Sequence, residues 1–149
     1  MFKTILVPLD GSKRAETILP YVEDLARQSQ GRLVLLQVID PWAYGSVAPS
    51  GELPVLYDDL VKGLLQEAQA YLAGIQGDLL SAGIEAKTRA GVGSAVNQIM
   101  ETAQQEQADL IAMASHGRTG LQRVFYGSVA AGVLHVVDRP LLLVRAPEG

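Results

Sequence analysis

Phe2-Lys3-Thr4-Ile5-Leu6-Val7-Pro8-Leu9 runs directly into Asp10-Gly11-Ser12, and this junction decides the fold. The unbroken aliphatic core of the segment reads as a strand buried on both faces, because a strand with one wet face would alternate polar and apolar residues. Asp-Gly-Ser ends the strand and offers a polar start to the amphipathic stretch from Ser12 to about Gln28, which is expected to be a helix. Arg32 to Ile39 (RLVLLQVI) then repeats the continuous pattern. Strand, helix and a second doubly buried strand form the unit of a parallel sheet covered by helices on both faces.

The remainder of the chain extends this unit. Leu110 to Ala114 (LIAMA) is a further continuous strand and Leu141 to Arg145 the last. Ile84 to Ala90 (IEAKTRA) alternates, with Glu85, Lys87 and Arg89 on one side, and belongs at a sheet edge. Further helices are expected over about Tyr57 to Ser81, Ser94 to about Gln107, and Ser128 to Val137. Pro20 should kink the first helix near its second turn. Pro41, Gly45, Pro49, Ser50, Gly51 and Pro54 mark a long loop after the second strand. No repeat, low-complexity tract or linker interrupts the pattern, so one domain is expected over 1–149.

Composition excludes several classes of function. The 149 residues contain no Cys and two His, His116 and His135, which rules out disulfides, a thiolate nucleophile and Cys/His zinc sites. A net charge of −4 repels both nucleic acid and anionic membranes, so neither is expected as a partner. Ile5 to Leu9 is too short for the apolar region of a signal peptide. The uncharged stretch Val124 to Val137 falls short of the roughly 18 residues of a membrane span. A cytoplasmic location is expected. Charge is uneven, however: Ser115 to Ala146 holds four Arg (118, 123, 139, 145) against one acid, Asp138. Such a segment suits a small anion or simply a solvated basic face.

Gly11-Ser12-Lys13 lacks the upstream Gly of a Walker A loop, which removes ordinary P-loop chemistry. Gly91-Val92-Gly93-Ser94-Ala95-Val96 lacks the third Gly of a dinucleotide fingerprint and follows the edge strand, so it reads as a turn with Ser94 as helix N-cap. The informative stretch is Met113-Ala114-Ser115-His116-Gly117-Arg118-Thr119-Gly120, followed by Leu121 to Tyr126 and by Gly127-Ser128 at the start of the last helix. Glycine-freed N–H groups and a helix N-terminus form a site for phosphate. Ser128 serves there either as N-cap or as a hydroxyl donor to phosphate, and Arg118 and Arg123 face either phosphate or water. With strand order 3-2-1-4-5 the chain reverses between the first and fourth strands, and ligands of open α/β sheets bind beyond the carboxyl ends at that point. Pro8-Leu9-Asp10-Gly11-Ser12 and Met113 to Gly117 meet there. Asp10 is either a ribose acceptor or the head of an Asx-turn. Val38-Ile39-Asp40 offers an apolar edge and backbone groups to an adenine ring, or is plain strand core. Trp42 and Tyr44 stack on a base or pack on the core, and His135 is expected to be half-buried and satisfied.

Over its whole length the sequence resembles the universal stress protein family, from Val7-Pro8-Leu9-Asp10-Gly11-Ser12 through Leu35 to Asp40 to the terminal Arg139-Pro140-Leu141-Leu142-Leu143-Val144. The nucleotide-binding branch of that family carries Gly, two residues, Gly, nine residues, Gly and then Ser or Thr. Gly117, nine residues and Gly127-Ser128 match, while Ala114 replaces the first Gly. The resemblance implies a Rossmann-like α/β sandwich of the adenine nucleotide alpha hydrolase type, with a five-stranded parallel sheet of order 3-2-1-4-5. It also implies a homodimer through the last strand, Leu141 to Arg145, whose four consecutive aliphatics would be costly at an exposed edge. ATP, or alternatively ADP, AMP or cyclic AMP, is implied at Pro8, Leu9, Asp10, Val38, Met113, Ala114, Gly117, Gly127, Ser128 and Val129, with Mg²⁺ or Mn²⁺ as the ion that would bridge its phosphates. A Cβ at Ala114 could crowd the ligand or forbid a positive φ.

Three functions follow from these residues. The first is a regulatory nucleotide-binding protein of the stress response. The second is a slow ATPase, for which His116 is the one titratable base in the glycine loop, since Ser115 to Val137 contains no carboxylate. The third is a dimeric interaction module that binds no nucleotide, to which the Ala114 departure lends support.

Overall fold

The computed structural model describes residues 1–41, 54–115 and 127–146, with the backbone alone at 54–56. Five strands form one parallel sheet: β1 (Thr4–Leu9), β2 (Arg32–Ile39), β3 (Glu85–Val92), β4 (Leu110–Ser115) and β5 (Leu141–Arg145), in the order β3-β2-β1-β4-β5. The helices are α1 (Leu19–Ser29), α2 (Pro54–Ser81), α3 (Ala95–Gln105) and α4 (Ser128–Val136). The expected strand order and the edge position of β3 are both observed.

Because successive side chains of a strand alternate in direction, each doubly buried strand feeds two cores. Ile5, Val7, Leu33, Leu35 and Ala112 pack against Ile18, Val22, Leu72 and Leu79 on the α1/α2 side. Leu6, Val34, Leu36, Ile111 and Met113 pack against Ile99, Ala103, Ala130 and Val133 on the α3/α4 side. Each fully buried aliphatic contributes about 1.5–3 kcal/mol, which makes these two layers the main stabilising term.

Two local expectations, the first helix and His135, are corrected, and the N-cap expectation for Ser94 is met in position. The first helix does not run unbroken from Ser12 with a kink at Pro20. A 3₁₀ turn (Ala15–Ile18) comes first, and α1 starts at Leu19 with Pro20 in its first turn. Proline lacks the N–H for a bond to the fourth preceding carbonyl and its ring clashes there, so the position suits a helix start and not an interior. Ser94 does occupy the N-cap position of α3, in extended conformation, but its side chain makes no capping hydrogen bond. His135 is exposed, not half-buried, because the buried stripe of α4 passes through Ala130 and Val133 and leaves position 135 on the far side.

The amino-terminal end of the sheet is tied together by polar bonds. Asp109, just before β4, accepts the backbone N–H of Lys3 at 2.8 Å and of Thr4 at 3.2 Å, and its own N–H donates to Thr4 O at 2.9 Å. Arg139, just before β5, donates to the carbonyls of Ala103 at 3.0 Å and Ala108 at 2.8 Å, capping the end of α3. At the β3 edge Glu106 accepts from Arg32, Lys87 and Arg89, at 3.3, 2.9 and 3.0 Å. Its carboxyl is 8% exposed, and the hydrogen bond from Lys87 foremost, with those of Arg89 and Arg32, holds it below the ordinary glutamate pKa against the cost of burial.

Candidate functional site

The opposite end of the sheet comes apart between its central strands. β1 and β2 remain in register from Thr4↔Arg32 to Leu9↔Gln37, and β4 and β5 from Ile111↔Leu141 to Ser115↔Arg145. Between β1 and β4 the ladder consists of Ile5↔Leu110 and Leu6↔Ile111 alone. Past that pair the two strands continue, to Leu9 and to Ser115, without pairing. The chain reverses direction at this place, so the gap is the crevice where open α/β sheets take ligands.

On one side stands the turn after β1. Asp10 Oδ1 accepts the backbone N–H of Ser12 at 2.9 Å and its hydroxyl at 2.6 Å, while Ser12 Oγ accepts the N–H of Ala15 at 3.1 Å. This is the Asx-turn, with Gly11 at φ +86° supplying the left-handed step. The turn engages one carboxylate oxygen, Oδ1, of an exposed residue. The Asx-turn reading of Asp10 is the one these bonds show. Behind the turn, Tyr71 of α2 donates to Glu16 at 2.7 Å. Burial first, then the Glu16 hydrogen bond and charge, and finally the charge of Asp10, push the Tyr71 phenol far above its ordinary range.

On the other side stand the end of β4 and the start of α4. Met113 is buried and Ala114 half-buried in β4. Ala114 pairs with Val144 as extended strand and is not among the positive-φ residues, so alanine meets the conformational demand at that position. Gly127, not Ser128, is the N-cap of α4. It has φ +83° and ψ 157°, a combination that is essentially glycine's alone. Ser128 is the first helical residue and exposed, which frees its hydroxyl from the expected capping role. Val129 packs on the α3/α4 core, as does Val38 from β2. Pro8 is half-buried and Leu9 buried at the end of β1. Gly117, His116, Arg118, Arg123, Trp42 and Tyr44 lie outside the described residues.

Two buried side-chain atoms without a hydrogen-bond partner among the described residues, Gln37 Oε1 and Ser115 Oγ, flank this end of the sheet. Gln37 lies beneath the β1 turn, with Nε2 3.8 Å from where a Cβ of Gly11 would stand. Ser115 is 1% exposed at the last position of β4. Ser115 belongs to the stretch the sequence marks but has no role assigned there, and Gln37 carries no motif; their significance comes from what surrounds them.

A model of the universal stress protein family matches residues 1–145. The chain belongs to that family. Universal stress protein MJ0577 of Methanocaldococcus jannaschii is 29% identical over 155 residues, covering 97% of this chain and 96% of the relative. Its solved structure superimposes with a TM-score of 0.84 at 31% identity, over 100% of this chain and 99% of that one. Universal stress protein Sll1654 of Synechocystis is 33% identical over 151 residues, covering 97% of this chain and 86% of the relative. A crystal structure of a universal stress protein in complex with cAMP shares the fold at TM-score 0.63 and 23% identity, over 97% of each chain. Among the described residues no helix of this universal stress protein is long and apolar enough to cross a membrane.

Proposed function

We propose that this chain, one universal stress protein domain over 1–149, is a cytoplasmic regulatory protein of the stress response that binds ATP or a related adenine nucleotide (ADP, AMP or cyclic AMP). The observation that carries the reading is the parting of β1 from β4 after Leu6↔Ile111, with Asp10 on one wall and the glycine-capped start of α4 on the other. The backbone and apolar edge of Val38 receive the base, Asp10 the ribose, and the N–H groups of the first turn of α4 the phosphates. Pro8, Leu9, Met113, Ala114 and Val129 shape the walls, Gly127 and Ser128 face the phosphates, and Gly117 completes the set from the glycine loop. Mg²⁺ or Mn²⁺, if carried in, would be held by phosphate oxygens: no group of three or more His, Cys, Asp or Glu among the described residues could hold a metal.

The working unit proposed is a homodimer through β5. Leu141, Leu142, Leu143 and Val144 are all incompletely covered on the strand that ends the sheet, and Leu134 and Val136 of α4 are half exposed. An edge of that composition is stabilised by pairing with a second copy. Light scattering should then give twice the chain mass.

The test of the site is to denature freshly purified protein and identify the released small molecule by chromatography and mass spectrometry. About one adenine nucleotide per chain is expected, or calorimetric binding of added nucleotide if the protein purifies empty. A folded protein that neither releases nor binds ATP, ADP, AMP or cyclic AMP would reject the reading and leave an interaction module.

A further inference from the structure

The basic segment noted in the sequence divides in two in the structure. Arg139 is consumed by the fold, bonded to Asp138 and to the carbonyls of Ala103 in the last turn of α3 and Ala108 after it. Arg145, the last residue of β5, is exposed and has no ion pair or hydrogen bond among the described residues. Its place in the sheet gives it a direction. Ile111 and Met113 lie on the α4 side of β4, packed with Val129, Ala130 and Val133. Ser115, two residues further, continues that row toward the carboxyl end and so lies under the first turn of α4, with its buried hydroxyl unpartnered. Parallel register pairs Ser115 with Arg145, which puts the arginine on the same side. Three groups therefore share one side of the sheet at its carboxyl end: the N–H groups after Gly127, which no side chain caps, the Ser115 hydroxyl and the Arg145 guanidinium. The backbone N–H groups and the guanidinium can only donate, and the hydroxyl can donate as well as accept, so the group favours a ligand rich in acceptor oxygens, as a phosphate is.

We infer that Arg145 reads the length of the phosphate chain, contacting the outermost phosphate of the bound nucleotide and favouring triphosphate over monophosphate. This rests on the nucleotide reading above and adds to it the residue that selects among adenine nucleotides. Position along the sheet supplies the reason. The base is placed at the end of β2, the ribose at the end of β1 and the helix N-terminus over β4. From β2 to β5 is three strand spacings, roughly 14 Å. Only the far end of an extended polyphosphate reaches the β5 side, and a monophosphate ends at α4. A planar guanidinium meets phosphate oxygens through two parallel hydrogen bonds, so arginine suits this position better than lysine.

The experiment is calorimetry of ATP, ADP and AMP binding to the full-length protein and to its Arg145→Gln and Arg145→Lys variants, with circular dichroism and light scattering on each. Arg145→Gln is expected to weaken ATP about tenfold, a loss of about 1.4 kcal/mol, and to change AMP less than twofold; Arg145→Lys should recover part of the ATP affinity. An unchanged ratio of ATP to AMP affinity in Arg145→Gln would overturn the inference while the nucleotide reading stands. An equal loss for ATP and AMP together with dissociation of the dimer would assign Arg145 to the subunit interface and overturn it as well. Wild-type protein that binds none of the three would reject both.

Discussion

The two ends of the same five strands are built on opposite principles. At the amino-terminal end polar groups are paired within the fold: Asp109 joins β4 to the start of β1, Arg139 closes α3, and Glu106 gathers three cations from β2 and β3. At the carboxyl end the central ladder stops early, and among the described residues Gln37 and Ser115 bury polar atoms with no partner and Arg145 makes no ion pair or hydrogen bond. A buried polar group without a partner costs about 1–3 kcal/mol, so such groups gather where a ligand can satisfy them. The contrast separates residues whose polar groups are satisfied within the sheet from residues whose polar groups find no partner among the described residues.

The sharpest way to break this comparison is Gly127→Val. A branched side chain at φ +83° and ψ 157° is strained and projects where the phosphate should sit, so nucleotide binding should fall at least about a hundredfold while the dimer persists. Unchanged affinity in calorimetry would place the site elsewhere. At the other end, Asp109→Ala leaves the N–H groups of Lys3 and Thr4 without their acceptor and should cost about 2–3 kcal/mol in urea unfolding. Nucleotide affinity of the folded protein should stay put; a large loss there would mean that the two ends are coupled.

Glu106→Gln should cost about 1–2 kcal/mol at neutral pH, by weakening three charge-assisted bonds. Its pH dependence is the more telling observation. Because the folded pKa lies below the usual value of 4.5, the carboxylate stabilises the fold fully above that value and progressively less as pH falls through the folded pKa. The stability gap between wild type and Glu106→Gln should therefore narrow below about pH 4.5. A gap that widens on acidification would contradict the assigned ion cluster. The smallest effect is expected from Ala114→Gly. Since the residue is extended strand paired with Val144, glycine should lower stability by about 0.5–1 kcal/mol and change nucleotide affinity less than about threefold. A large gain in affinity would show that the methyl group crowds the ligand.

Much of this molecule could be read from local pattern. Continuous runs such as Leu33 to Leu36 mark doubly buried strands because both neighbouring layers demand apolar contacts, and the alternation of Glu85, Lys87 and Arg89 marks the edge because one side of β3 carries the ion cluster. The glycine at 127 was legible too, since few residues other than glycine fit ahead of that helix. Pro20 was legible as a disturbance but not as a helix start, because whether proline kinks a helix or begins one depends on how the preceding turn packs. Ser128 was legible as the start of the last helix, but of its two possible roles the capping one falls to Gly127, which leaves the hydroxyl exposed.

By itself, then, the sequence determined the strands, their burial and the candidate phosphate loop, because hydrophobic period and glycine placement are local properties tied to backbone geometry. Only the tertiary structure decided that β1 parts from β4 after two pairs, that Glu106 is shared by three cations distant in sequence, and that Arg139 and Arg145, six residues apart, belong to opposite ends of the sheet. Charge and hydrogen bonding act through space, so residues of one type in one basic stretch acquire different roles from whatever the fold brings beside them.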